Sequence, residues 1–391
     1  MRTVDVVIVG GAAMGSAVAY FLASHPDFTG SVRVLEQDSS YANSATARSA
    51  ASIRHQFSTP DNIRMSQFGT QFIRQLGRCL AVDGEAPDVG FHEGGYLFLA
   101  SEAGQGVLQA NHRVQRGLGV DVALLGPDAL QARFPWLSTQ GLSAGSLGLS
   151  GEGWLDAYGL MGALRRKAMA LGVQYQQAQV LGLQRQGRRI ERVLLTDGSA
   201  LACSVVVNAA GTGAAALARS AGIALPVQAR KRCVFYFTSP AQLPHCPLVV
   251  DPSGAYFRPE GAGFICGISP PADQDPECFD FEVQHALFDD TLWPILAARV
   301  PGFEAARVHN AWAGHYDVNT LDHNAILGAH PEVDNLLFAN GFSGHGMQHA
   351  PAVGRALSEL VVHGAYRSLN LSALGWARVL ENRPLLEVNV V

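Results

Sequence analysis

The sequence predicts an α/β protein of two lobes, one of them a Rossmann-like nucleotide-binding lobe. Three observations carry this. The N-terminus holds an apolar strand, a glycine turn, a helix and a second strand that ends on an acid. The chain has 391 residues, long for one hydrophobic core. Further glycine clusters lie far along it, so the nucleotide lobe is assembled from separated pieces with another lobe inserted between them.

In order, residues 4–9 (VDVVIV) form the first strand, and Gly10-Gly11-Ala12-Ala13-Met14-Gly15 forms the turn into a helix. Residues 32–35 form the second strand, ending on Glu36. Such a turn lets a pyrophosphate approach the backbone, while the helix N-terminus offers free N–H groups and the positive end of its dipole. Glu36 stands about 20 residues beyond the turn, where a carboxylate meets a ribose hydroxyl. Ala12 replaces the middle glycine of G-x-G-x-x-G, and Ala tolerates close backbone approach less well. No Arg follows in Gln37-Asp38-Ser39, which argues against a 2′-phosphate.

A polar loop (37–43) and small residues through Ser52 come next. Residues 60–80 read as a helix opened by Pro60, with a stripe of Ile63, Phe68, Phe72, Ile73 and Leu76. A strand is expected at 94–99, a short helix at 127–134, and a helix at 160–171 closed by Gly172. Residues 191–207 read as a hairpin turning at Asp197-Gly198. The strand 205–209 enters a second glycine turn, Gly211-Thr212-Gly213, without a second ribose-binding acid. Residues 233–270 alternate as short strands, and a third glycine cluster at 341–346 precedes a helix expected from about 351 to 362.

Hydrophobic residues make up 48% of the chain and charged residues 16%, which suits a well-buried enzyme and argues against disorder. A net charge of −5 provides no basic footprint for nucleic acid. The six cysteines form no C-x-x-C pair and read as reduced thiols of a cytoplasmic protein. Met1-Arg2 and the apolar run behind it resemble a signal peptide, but Asp5 interrupts the run. No stretch approaches 18 uninterrupted apolar residues, so no transmembrane helix is expected; peripheral membrane contact stays open.

Six segments in joint order carry a resemblance: the N-terminal βαβ with Glu36, ATARSAASIRHQF (45–57), VNAAG (207–211), YFRPEG (256–261), WAGHYDVNTLDHNAILG (312–328) and GFSGHGMQ (341–348). Together the chain resembles the D-amino-acid oxidase/sarcosine oxidase family of FAD-dependent amine oxidoreductases over nearly its whole length. The resemblance implies a Rossmann-like FAD-binding lobe (1–85, 152–228 and 314–391). It also implies a substrate lobe with a mainly antiparallel or mixed sheet (86–151 and 229–313). It places Gly10, Ala12, Ala13, Met14 and Gly15 at the pyrophosphate, and Glu36 and Gln37 at the ribose. Ser44, Arg48, Ser49 and Ala50 would line flavin and phosphates, and Val180 would hold the adenine. Ala210, Gly211 and Gly314 would pass close to FAD. Gly344, His345, Gly346, Met347 and Gln348 would follow the pyrimidine edge, where N–H groups stabilise negative charge.

Amine oxidation by a flavin needs a neutral amine with its C–H over the flavin; orientation supplies much of the rate. An amino-acid substrate also needs a cation for its carboxylate, ideally a two-pronged Arg. Arg54 matches the carboxylate-binding arginine of sarcosine oxidases. Arg232 resembles a pocket position, though Arg230-Lys231-Arg232 is also an ordinary charge run. Tyr256 and Tyr316 match aromatic pocket positions, Arg258 shares the face of Tyr256, and His55 and His315 could tune pocket charge. His345 and His349 have metal-like spacing but lack a third ligand, so no metal is expected.

Three departures from the sarcosine oxidase pattern matter. Gln348 stands where those enzymes carry a carboxylate-binding lysine. Ile265 stands at their oxygen-activating lysine, which favours a dehydrogenase with an unknown organic or protein acceptor. Residues 312–316 hold no Cys, so FAD is expected to be non-covalent. The expected activity is oxidation of an amino acid or secondary amine to an imine that water hydrolyses. The alternatives are an FAD-dependent 2-hydroxy acid oxidoreductase and a non-catalytic FAD-binding assembly protein.

Overall fold

A computed structural model describes residues 4–388. The first strand, Val4–Val9, is almost wholly buried because sheet covers it on both edges and helices on both faces. It pairs in parallel with Val32–Glu36 on one side and Ala200–Asn208 on the other. The sheet continues outward to Gln174–Gln177 and, on the far side, to Val333–Asn340 and Ile326–His330. A hairpin of Val180–Gln186 and Arg189–Leu195 joins Ala200–Asn208 antiparallel. One face packs under the helices Ala13–Ala23, Ala157–Ala170 and Gly346–His363 through Ile8, Val18, Leu164 and Val353. The other buries Val7, Val206, Leu217 and Phe338.

The second sheet is mainly antiparallel. It runs Arg307–Asn319, Val227–Thr238, Gly263–Gly267, Tyr256–Glu260, Leu248–Val250, Tyr96–Ala100, Ala144–Gly148 and Val122–Leu125. Its core is a cluster of Phe235, Phe237, Phe257, Phe264 and Phe303. The strands Val227–Thr238 and Arg307–Asn319 pair along their whole length. A two-residue ladder, Ser52–Ile53 with Gly153–Trp154, ties the segment after the nucleotide loop to the chain that follows the strand Ala144–Gly148.

Several boundaries differ from the sequence expectations. The helix expected at 60–80 is Pro60–Ile73, a break at Gln75, then Leu76–Cys79; the restart turns Leu76 and Leu80 into the core. The helix expected at 351 begins five residues earlier, because Pro351 in its interior removes only one ladder donor. The helix Glu102–Gly117 and the strand Arg307–Asn319 are additions. Asp156 caps Ala157–Ala170 by accepting the Gly159 N–H at 2.9 Å, and Gly172 follows at φ +95°. No helix among the described residues is long and apolar enough to cross a membrane.

Candidate cofactor and substrate site

The glycine turn is shaped by contacts that forbid side chains. A Cβ at Gly10, where φ is +97°, would lie 2.3 Å from the Ala209 carbonyl oxygen. One at Gly15 would lie 1.8 Å from the Gly10 carbonyl oxygen. Gly15 therefore lets the helix cross the strand, while Gly10, Ala12, Ala13 and Met14 line a cleft. The N-cap Ala12 offers no side-chain cap, and apart from Ala13, whose N–H meets Thr46 Oγ1 at 3.4 Å, the first-turn N–H groups remain donors toward that cleft. Ala12 fits because it is the N-cap, with extended backbone at φ −68° and ψ −164°.

Glu36 ends its strand on the cleft wall. Its carboxylate accepts the Gly11 N–H at 2.8 Å and the Asp38 N–H at 3.0 Å, which fixes both oxygens. Gln37, Ser44 and Ser49 line the same cleft, with Tyr41, Asn43 and Thr46, which sequence reasoning missed. Thr46 Oγ1 accepts the Ala13 N–H at 3.4 Å, binding this loop to the helix start. Across the cleft stand Ala210, Gly211 and Thr212.

The third glycine cluster closes the far end. Gly344, at φ +99°, lies against Tyr316, whose ring would be 2.6 Å from a Cβ there. Gly344, Gly346, Met347 and Tyr316 line the cleft, and Gly346 and Met347 open the last long helix. Asp317 holds this turn by accepting the Gly341 N–H at 2.8 Å. Burial pushes its carboxyl up to about 6.

Arg54 is the centre of the second half of the site. Its side chain is buried, with Cζ 4.2 Å from the centre of the Phe57 ring and 5.1 Å from that of Phe98. Nη1 donates to the Gln56 carbonyl at 2.8 Å, and Nη2 lies 3.0 Å from His345 Nε2. Burial, with Arg54 beside it, holds His345 well below the ordinary histidine range. His345 is therefore neutral and accepts from the guanidinium. Tyr96 is buried and Tyr256 and Tyr316 are half-buried, and desolvation pushes all three phenols up, which keeps them protonated.

Other expected site residues are occupied elsewhere. The His55 ring turns away, with Nε2 2.8 Å from Thr70 Oγ1, and burial lowers it to about 4. Gln348 Oε1 accepts the Arg54 backbone N–H at 2.8 Å, so it positions the arginine rather than facing a ligand. Arg232 makes a two-pronged pair with Asp275 at 2.8 and 2.7 Å, alongside Tyr316. Arg48 donates to the carbonyls of Ala42 and Ala313 and to Asn43, which staples its loop to the strand Arg307–Asn319. Gly314 packs against Arg48, Ala50 offers its carbonyl to Arg258, and Val180 packs into the core beside Leu195; none of the four lines the cleft. His349 Nε2 lies 3.1 Å from Ser66 Oγ.

Glu152 is the main residue that sequence reasoning missed. It is fully buried and accepts the backbone N–H groups of His55 and Gln56 at 2.6 and 3.1 Å, and Gln56 Nε2 at 2.8 Å. Burial pushes it up to about 7. It fixes the segment that carries Arg54. Its only sequence signal is an acid between two glycines, Gly151 and Gly153, both at positive φ.

The donor set fits FAD: an uncapped helix start behind glycines that leave no room for a Cβ, a strand-end carboxylate fixed by two N–H groups, and a second helix start across the cleft. Comparisons with known proteins agree. The family model described as FAD dependent oxidoreductase (DAO) matches residues 5–360. "FAD-dependent oxidoreductase domain-containing protein 1" of Xenopus laevis is 42% identical over 99% of this chain and 85% of that protein. Glycine oxidase of Geobacillus kaustophilus is 28% identical over 91% of this chain and 92% of that one. A crystal structure of glycine oxidase from that organism superposes with a TM-score of 0.82, covering 97% and 99%. L-Proline dehydrogenase from P. horikoshii superposes with a TM-score of 0.85 at 24% identity, covering 98% and 99%. The chain belongs to the DAO family of FAD-dependent oxidoreductases and is an enzyme of that class.

Proposed function

We propose that this enzyme oxidises an amino acid or secondary amine whose carboxylate lies on Arg54. The observation that carries the reading is the state of that arginine. It is buried, yet no carboxylate stands within ion-pair distance of it among the described residues. Arg232 and Arg258 both have acidic partners. Of the five guanidinium N–H groups of Arg54, two are used, leaving three for a ligand. A buried cation without a partner is costly, and a ligand carboxylate relieves that cost. The substrate class is supported by the name of the glycine oxidase relative.

FAD, when bound, supplies the acceptor for the hydride that leaves the carbon beside nitrogen. The chain's own residues do the rest. Arg54 sets the substrate's orientation, and Phe57, Phe98 and Tyr96 exclude water from it. N–H groups at the start of Gly346–His363 stabilise negative charge along the cleft. Gly10, Ala12, Ala13, Met14, Glu36 and Ser49 would hold the cofactor non-covalently. Segment 312–316 has no Cys, and His315 Nε2 is engaged with the Asp280 carbonyl at 2.8 Å.

A dehydrogenase is favoured over an oxidase. Ile265 is apolar, and the neighbouring Arg258 is paired with Glu260, with four of its five N–H groups taken by Ala50, Pro259 and Glu260. The lobes are 1–85, 152–228 and 314–391 for FAD, and 86–151 and 229–313 for substrate. The cysteines, all free, fit a cytoplasmic enzyme. The test is anaerobic flavin reduction by amino acids and by their methyl esters. Reduction by the acids at least about 100-fold more efficiently than by the esters supports the reading; equal efficiency overturns it.

A further inference from the structure

A second cavity, about 700 Å³ in volume, opens beside the cofactor cleft and shares Thr46 and Ser49 with it. Four aromatic side chains, Trp154, Tyr158, Tyr236 and Trp312, stand in its lining with Ile265 among them. One buried cation, Arg258, lines it at 4% exposure. Nε and Nη2 of Arg258 donate to the Ala50 carbonyl at 3.2 and 2.8 Å. Nη1 donates to the Pro259 carbonyl at 2.9 Å and to Glu260. A guanidinium has five N–H groups, so one on Nη2 is left without a protein acceptor. Three exposed carboxylates, Asp88, Asp156 and Glu260, stand around the mouth. Binding of the substrate carboxylate on Arg54 uses none of these aromatic side chains.

We propose that this cavity docks the electron acceptor, and that the acceptor is a neutral quinone. The proposal rests on the dehydrogenase reading above and names its second substrate. Flat aromatic walls suit a flat ring. The free Arg258 N–H donates to one quinone oxygen, and its charge stabilises the negative charge that oxygen gains as electrons arrive. The carboxylates at the mouth repel anionic acceptors and leave neutral ones unhindered. Sharing Thr46 and Ser49 brings the guest to the edge of the cofactor site. The quinone takes two electrons and two protons and leaves as the quinol, while reduced FAD returns to its oxidised form; no other oxidant is consumed.

The experiment uses the FAD-loaded protein and a tailless dimethoxybenzoquinone as probe. Tryptophan fluorescence of the oxidised protein is titrated with the probe, since Trp154 and Trp312 line the cavity. The flavin is then reduced by light without any amine, and its reoxidation by the quinone or by ferricyanide is followed anaerobically. Because light does the reducing, failure of the amine reading leaves this test intact. Saturable quenching is expected, with reoxidation saturating at the same quinone concentration and outpacing ferricyanide at low salt. Ile265→Trp, which fills the cavity, and Tyr158→Ala, which strips a half-exposed wall, each weaken both by about tenfold with flavin content unchanged. The proposal is overturned by reoxidation that stays linear in quinone and indifferent to both variants. Faster reoxidation by ferricyanide at low salt, or reoxidation by a protein acceptor alone, overturns it equally.

Discussion

Replacing Arg54 with Met separates binding from folding. Met is unbranched, fills much of the arginine stem's space, and carries no charge. In the wild type the guanidinium is buried against Phe57 and Phe98, with the Gln56 carbonyl and His345 as its protein partners. Removing it frees two weakly compensated neighbours but also removes an unpaired buried charge. The net change in unfolding free energy is therefore within about 1 kcal/mol of zero. Binding is affected far more. A substrate carboxylate loses two charge-assisted hydrogen bonds, together about 3–4 kcal/mol, or about 100- to 1000-fold in affinity. Arg54→Lys keeps the charge but not the fork, and loses about tenfold. The assay is perturbation of the flavin spectrum by an aromatic carboxylate such as benzoate, paired with urea unfolding of the same samples. An Arg54→Met protein that binds benzoate normally but has lost about 3 kcal/mol of stability would refute the reasoning, because Arg54 would then be structural.

Burial pushes the Glu152 carboxyl up to about 7 from its ordinary 4.5, so the native state holds a proton there that the unfolded chain releases. Its stabilising contribution is full below about pH 4.5 and is lost as pH rises through about 7, by about 3 kcal/mol. Urea unfolding should show the stability of wild type relative to Glu152→Gln falling over that window; a constant difference contradicts the burial argument. Gly15→Ala drives a Cβ to 1.8 Å from the Gly10 carbonyl oxygen and should abolish FAD retention on gel filtration, whereas Gly106→Ala, in an exposed helix position with nothing near its Cβ, should stabilise by about 0.5–1 kcal/mol. Gln348→Ala removes the acceptor for the Arg54 backbone N–H and should raise the KM for amino acid about tenfold with kcat within about twofold. A fall in kcat at constant KM would place Gln348 elsewhere in the reaction.

The nucleotide half of the site was legible because its determinants are local. Gly10, Gly15 and Glu36 are set by one strand–turn–helix and the strand beside it, and a buried parallel strand shows as an apolar run. The substrate half depends on contacts far apart in sequence. Arg54 and His55 are adjacent on an extended segment, where successive side chains face opposite ways, so both could not enter one pocket. The Glu152 carboxylate meets backbone N–H groups almost a hundred residues earlier, a partnership that leaves no periodic trace. Gln348 was visible as a departure from a family pattern, but its place on the first turn of a helix was hidden by Pro351. The helix Glu102–Gly117 escaped notice because only Leu108, Asn111 and Gln115 are buried along it, and two of those are amides. Arg307–Asn319 begins with four exposed residues, which dilutes its alternation.

The proposed chemistry is hydride transfer to a bound flavin from an amine whose carboxylate sits on Arg54. It is tested most directly by anaerobic reduction of the purified protein's flavin with a panel of D-, L- and N-methyl amino acids and 2-hydroxy acids, followed by readmission of air. Stoichiometric bleaching by members of the amine group is expected, with none by the hydroxy acids and slow recovery of colour in air. Bleaching by hydroxy acids alone, or a bound flavin that no amine bleaches, would contradict it.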